Sequence, residues 1–190
     1  MLYVIIILFC GLFLSAILSL FLEKSFFTLL LFSSLAIVAV ILVDAVTATL
    51  ARLLPSKLAQ HDKKLFIVSA KEKKFYERLK IRKWKDKVPE IGHFTGFRKN
   101  KIADPKSVEY LERFLLEACY GEIGHILSCF TGFLIVPLFP LTEVWIAVTL
   151  PVAFLNALLN LPSLFILRYN SYKLKILLKS NLKRSQRVNT

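Results

Sequence analysis

Residues 2–22 contain no charged side chain, and as a helix rising 1.5 Å per residue they span roughly 30 Å, the thickness of a bilayer's hydrocarbon core. The segment lacks a basic leader and a small-residue cleavage motif before Glu23 and Lys24, which favours a retained anchor over a cleavable signal peptide. A second apolar run, 26–43, follows the short break Glu23-Lys24-Ser25 and ends at Asp44; its amphipathic continuation carries the helix to Pro55. Two further runs, 126–136 and 146–167, complete the pattern. Hydrophobic residues make up 56% of the 190-residue chain, above the 45–50% usual for soluble domains. The predicted architecture is all-α: one polytopic membrane domain over 1–190, with about four transmembrane helices at 2–22, 26–50, 117–137 and 146–167.

Charge is distributed as sharply as hydropathy. Between residues 52 and 113 there are 18 Lys and Arg among 62 residues, and the tail 168–190 holds seven more. Together these segments contain 25 of the 26 basic residues, and the two other connections hold only Lys24. The positive-inside rule therefore predicts a multi-pass bacterial cell-membrane protein with a basic cytoplasmic helical loop (52–113), a cytoplasmic tail and both termini in the cytoplasm. Because the net charge of +13 is segregated in this way, anionic headgroups or a phosphorylated substrate suit it better than nucleic acid. Within the loop, 71–80 reads as a helix and 89–101 as a loop, with Gly92, Gly96 and Pro105 nearby. Ser107, followed by Glu109 and Glu112, opens a helix that runs into the third span and ends near Pro137 and Pro140. Glu143 and Trp145 mark the opposite interface. Cys10, Cys119 and Cys129 lie in or beside apolar stretches without metal or disulfide spacing and read as buried thiols.

Ionisable groups in a spanning helix are disfavoured by a few kcal/mol even on lenient scales, so Glu117, Glu122 and His125 at the start of the third span require an explanation. At 100° per residue they share an arc of about 140°, and Glu122 and His125 are one turn apart. A carboxylate bonded to one imidazole nitrogen leaves the other to take a proton from a hydroxyl, a general-base arrangement. The same spacing serves metal ligation in bundles, with further ligands from other helices. The alternative is that the carboxylates snorkel to water while His125 bonds a neighbouring helix. Gly121, Gly124, Ser128 and Gly132 point to close packing of the same helix. Asn156 and Asn160, one turn apart in the fourth span, either orient a polar substrate or tie spans together. The basic run from Lys80 to Lys87, with Trp84 at its centre, suits phosphate binding or contact with anionic lipid.

Phe75-Tyr76, then Arg82-Lys83-Trp84-Lys85 with Lys87, then Glu117, Glu122 and His125, then Asn160, Pro162 and Arg168-Tyr169-Asn170 together resemble the glycosyl-4,4'-diaponeurosporenoate acyltransferase family, over roughly residues 44–178. The resemblance implies fatty acyl transfer to a sugar hydroxyl, the C6 hydroxyl of a glucosylated carotenoid carboxylate in staphyloxanthin-type pigment synthesis. The chain departs from the pattern in its extra apolar N-terminal segment and a longer insertion before the third span.

The expected function is a membrane O-acyltransferase with an acyl thioester (acyl-CoA or acyl carrier) as co-substrate, a lipid or glycolipid acceptor, and no resident cofactor or metal. His125 is the expected base, Glu122 its orienting group and Glu117 a further catalytic carboxylate. Asn160, Arg82, Lys83, Trp84, Lys85, Arg168 and Asn170 are expected to bind substrate. The rivals are a noncatalytic membrane subunit that recruits anionic lipid or protein partners, and a metal-dependent lipid-modifying enzyme using Glu122.

Overall fold

A computed structural model describes residues 2–88, 103–138 and 142–188, with side chains from residue 5 to residue 187. The loop expected at 89–101, with Gly92, His93 and Gly96, lies outside the described residues, as does Pro140. The described elements are all helical: α1 (Leu2–Phe21), α2 (Phe26–Leu53), α3 (Ala70–Arg78), α4 (Ile81–Trp84), α5 (Val108–Thr131) and α6 (Glu143–Val188), with short 3-10 turns between them. Three helices are long and apolar enough to cross a membrane: Phe26–Leu53, Val108–Leu138 (α5 with the 3-10 turns that prolong it) and Glu143–Arg187. The fully described part of α1, Ile5–Phe21, is a shorter apolar helix, so three of the four expected spans meet the length criterion. The change from span to tail read at Arg168 is not a structural boundary. Helix α6 continues through it to Val188 as one element of 46 residues.

The chain divides into two compact units. The first comprises residues 1–50 and 125–161. Its core is built from Leu29, Ala36 and Val40 of α2 with Ile135, Val148, Val152 and Ala153. Outward-facing side chains on the same helices remain large and apolar, among them Phe9, Phe13, Phe27, Leu31, Phe130 and Phe154. In water that surface would be untenable; in lipid it costs nothing, and association depends instead on close packing and buried hydrogen bonds. Both devices are present. The buried Ser15 hydroxyl donates to Gly11 O at 2.7 Å and meets the Ser33 hydroxyl at 3.0 Å, and Thr47 and Thr131 hydroxyls meet at 2.9 Å. Glu23, in the left-handed region at φ 45°, lies in the tight turn that joins α1 to α2.

The second unit comprises residues 51–124 and 162–190. The buried Leu111, Phe114 and Leu115 of α5 pack against Leu174 and Leu178 of α6, so the basic C-terminal stretch is anchored along an apolar stripe. Ser107 acts as the expected helix cap: its hydroxyl accepts from Tyr110 N at 3.1 Å. Ser69 does the same for α3, accepting from Glu72 N at 3.1 Å. Helix α3 covers most of the segment expected at 71–80 and stops at Arg78 because Lys80 takes a left-handed conformation, φ 53°. The chain then turns into α4, which places Ile81 and Trp84 against Val68, Tyr76, Ile166 and Tyr169. Trp84 Nε1 donates to Leu79 O at 2.9 Å.

Gly132 in the first unit has no room for a side chain: an added Cβ would lie 2.6 Å from Asn156 Nδ2 and 3.4 Å from Val40 Cγ2. That amide cannot swing aside freely, because it donates to Asp44 Oδ1 at 3.2 Å and to Ser128 O at 3.3 Å. Gly132→Ala is therefore expected to lower stability by about 1–3 kcal/mol, measured as a lower unfolding midpoint in detergent. Gly121→Ala, which meets only the Leu167 side-chain tip at 3.0 Å, serves as a milder control.

Candidate functional site

The polar residues singled out in the sequence fall into two networks, one in each unit. In the second unit the centre is Arg168, whose five N–H groups are all directed at protein acceptors. Nε and Nη2 grip the Glu72 carboxylate, with Nη2 at 3.0 Å from Oε2. Nη1 donates to Glu122 Oε2 at 3.0 Å and to Leu65 O at 2.9 Å, and Nη2 reaches Ile67 O at 3.5 Å. The second oxygen of Glu122, whose side chain is 0% exposed, accepts from Ser171 Oγ at 3.0 Å. Tyr76 OH donates to Glu72 Oε1. Burial alone would raise the Glu72 carboxyl, but the bonds from Arg168 and Tyr76 outweigh it and hold the group below its ordinary value. Burial and the bond to Glu72 push the Tyr76 phenol well above its usual range.

This geometry pairs Glu122 and Arg168 with each other. Glu122 was read as the group orienting His125, but both its oxygens are engaged by Arg168 and Ser171. Arg168 was read as a phosphate binder, yet its fork is spent on two carboxylates and two backbone carbonyls. A partly buried guanidinium of this kind ties together segments distant in sequence. Glu117 lies on a more exposed part of α5 and pairs with Arg52 at 3.6 Å. Among the described residues no cluster of three or more His, Cys, Asp or Glu could hold a metal.

In the first unit His125 Nδ1 lies 2.8 Å from Asn160 Oδ1. Asn160 Nδ2 donates to Asp44 Oδ2 at 3.1 Å and to Asn156 O at 3.1 Å. Asn156 Nδ2 contacts the other Asp44 oxygen, as above. Helix α2 supplies the carboxylate, α5 the imidazole and α6 the two amides, whose i, i+4 spacing presents them on one face. Asp44 and Asn156 are the residues sequence reasoning left out of the site. Their signals were a lone carboxylate ending an apolar run and an Asn pair one turn apart. Sequence reasoning also overlooked Glu72 and Ser171.

Of the remaining expected residues, Arg82 and Lys83 are exposed on α4, and Lys85 and Asn170 are half-buried. Trp84, expected to bind substrate, packs with the Tyr76 cluster. The basic segment thus has an outward cationic side and an inward apolar one.

A family model for glycosyl-4,4'-diaponeurosporenoate acyltransferases matches residues 55–180, more than half of the chain. The chain belongs to this family. No curated protein and no solved structure matches it. The family name denotes acyl transfer in carotenoid biosynthesis, and the apolar helices fit a membrane-embedded member. The matched segment contains both Arg168 carboxylate partners, His125 and both Asn residues. It begins after Asp44, later than the start near residue 44 read from the motifs.

Removing one partner of a buried pair leaves the other charge uncompensated. Arg168→Met is expected to destabilise the protein by about 3–5 kcal/mol, read as a lower midpoint of thermal unfolding in detergent. Adding Glu122→Gln should recover part of the loss, since the more deeply buried of the two orphaned carboxylates, Glu122 rather than Glu72, is then neutral. An unchanged midpoint in the single variant would remove Arg168 from its structural role.

Proposed function

We propose that this protein is a membrane O-acyltransferase that moves a fatty acyl group from a thioester donor, an acyl-CoA or acyl carrier, to a hydroxyl of a glycosylated carotenoid or lipid. The observation that carries the reading is His125, an imidazole in a spanning helix held by a buried amide, within a chain of the acyltransferase family. In the proposed reaction His125 Nε2 takes the proton of the acceptor hydroxyl as its oxygen attacks the thioester carbonyl. The C–O bond forms, the tetrahedral intermediate collapses, and the C–S bond breaks. The departing thiolate recovers the proton from the imidazolium. Asn160, rather than Glu122, aligns the ring for this step.

The basic segment supplies the second element. On α4, Ile81 and Trp84 face the apolar cluster and Arg82 and Lys83 face outward, with Lys85 next in the chain. We assign Arg82, Lys83 and Lys85 to the phosphates of the donor or of the acceptor's headgroup. Asn170 has no assigned step, and neither has Glu117, which pairs with Arg52. Positive-inside asymmetry supports a multi-pass protein of the bacterial cell membrane with this segment and both termini on the cytoplasmic side.

Purified His125→Ala protein, assayed with a radiolabelled acyl thioester and a glycosylated carotenoid acceptor, is expected to lose roughly 10²–10⁴-fold in rate, the usual contribution of a general base. Full activity in that variant would refute the assignment, and a noncatalytic recruiting subunit would then be the better account.

A further inference from the structure

Helix α2 carries one carboxylate among otherwise apolar and small hydroxyl side chains before Arg52: Asp44. An ionised group at that position is disfavoured in a bilayer unless it is partnered, and both its oxygens are used. Oδ1 accepts from Asn156 Nδ2 at 3.2 Å and Oδ2 from Asn160 Nδ2 at 3.1 Å. A carboxylate can only accept, so each amide must turn its NH2 toward Asp44 and its oxygen elsewhere. The remaining contacts agree. Asn160 Nδ2 also faces Asn156 O at 3.1 Å and Asn156 Oδ1 at 3.4 Å, and Asn156 Nδ2 faces Ser128 O. These hydrogen-bond partners of the two NH2 ends are all acceptors.

With its NH2 committed, Asn160 presents Oδ1 to His125 Nδ1 at 2.8 Å. That oxygen accepts and cannot donate, so the nitrogen facing it must carry the hydrogen, and Nε2 is then the basic nitrogen of the neutral ring. The direction of each bond follows from the one before it, and the first is set by the charge on α2.

We propose that Asp44 is a positioning residue that selects the Nδ1–H tautomer of His125 through Asn160. This rests on the reading of His125 as the base, for which Nε2 must be unprotonated. Without the carboxylate, the Asn160 NH2 keeps only its Asn156 acceptors, and the amide can reverse and donate its NH2 to Nδ1, which stabilises the Nε2–H tautomer and leaves the wrong nitrogen protonated. Asn156 braces the same arrangement by holding the second oxygen, and Gly132 provides the space for it.

The test is 15N NMR of the full-length protein in lipid nanodiscs, labelled at its three histidines, with the His125 signals assigned by their loss in His125→Ala. The neutral wild-type ring is expected to show a protonated Nδ1 and an unprotonated Nε2. Asp44→Asn should shift the population toward Nε2–H and lower kcat by roughly tenfold or more with little change in KM, as expected when a base is held in the wrong tautomer. A merely structural role for Asp44 would leave the tautomer unmoved. A neutral wild-type ring protonated at Nε2 overturns the proposal, and so does an Asp44→Asn ring with wild-type populations. If Asp44→Asn does not fold, Asn160→Leu takes its place: loss of the acceptor should also release the tautomer, and an unchanged spectrum overturns the proposal. Failure of the base assignment is distinguishable, because it appears as activity retained by His125→Ala whatever the spectrum shows.

Discussion

Much of the second unit hangs on one guanidinium. Arg168 projects from α6 and binds Glu122 of α5, Glu72 of α3 and the carbonyls of Leu65 and Ile67 in the segment before α3. Those groups come from positions 46 to 103 residues away in sequence, and none of the segments 54–69, α3 and α4 is long enough to fold alone. The ion pairs are no large source of net stability, since desolvation offsets most of their attraction. Their effect is on specificity. A carboxylate buried at Glu122 tolerates few arrangements, and this one uses both its oxygens.

The first unit meets the same constraint by a different route. Its surroundings are apolar, so hydrophobic burial offers little to drive helix association, and each polar atom must find its partner within the protein. Ser15 with Ser33, Thr47 with Thr131, and Asp44 with Asn156 and Asn160 each join residues of different helices or helical segments. Small residues make the approach possible. At Gly11 an added Cβ would lie 3.0 Å from Ile37, and at Gly132 it would collide with Asn156.

What could be read from the sequence was what depends on local periodicity and composition. Apolar runs, the Ser107 cap and the helix it opens follow from residues near one another, and the family from short motifs in their order along the chain. The helical continuation of α6 past Arg168 was obscured because its charges look like a solvated tail, although Leu174 and Leu178 sit at the i, i+4 spacing of a packed stripe. The partners of Glu122 and His125 were harder to find. Sequence spacing shows that the two could touch, but it cannot show that Arg168 and Ser171, each more than 40 residues away, claim the carboxylate. Nor can it show that Asn160 meets the imidazole.

Glu122 and His125 stand three residues apart on α5, and their surroundings suit them to different tasks. Proton transfer needs a group that can both give and accept at one atom within the reaction. Arginine cannot lose its proton, and a carboxylate clamped by it can take one only by giving up its ion pair. The amides of Asn156 and Asn160 neither gain nor lose protons, but they transmit direction, because a donor at one end obliges an acceptor at the other. An imidazole at the end of such a chain keeps one nitrogen fixed as donor and the other as acceptor. The two networks are therefore not interchangeable: the saturated one fixes structure, and the proposed chemistry belongs to the one that ends in a ring able to change its protonation.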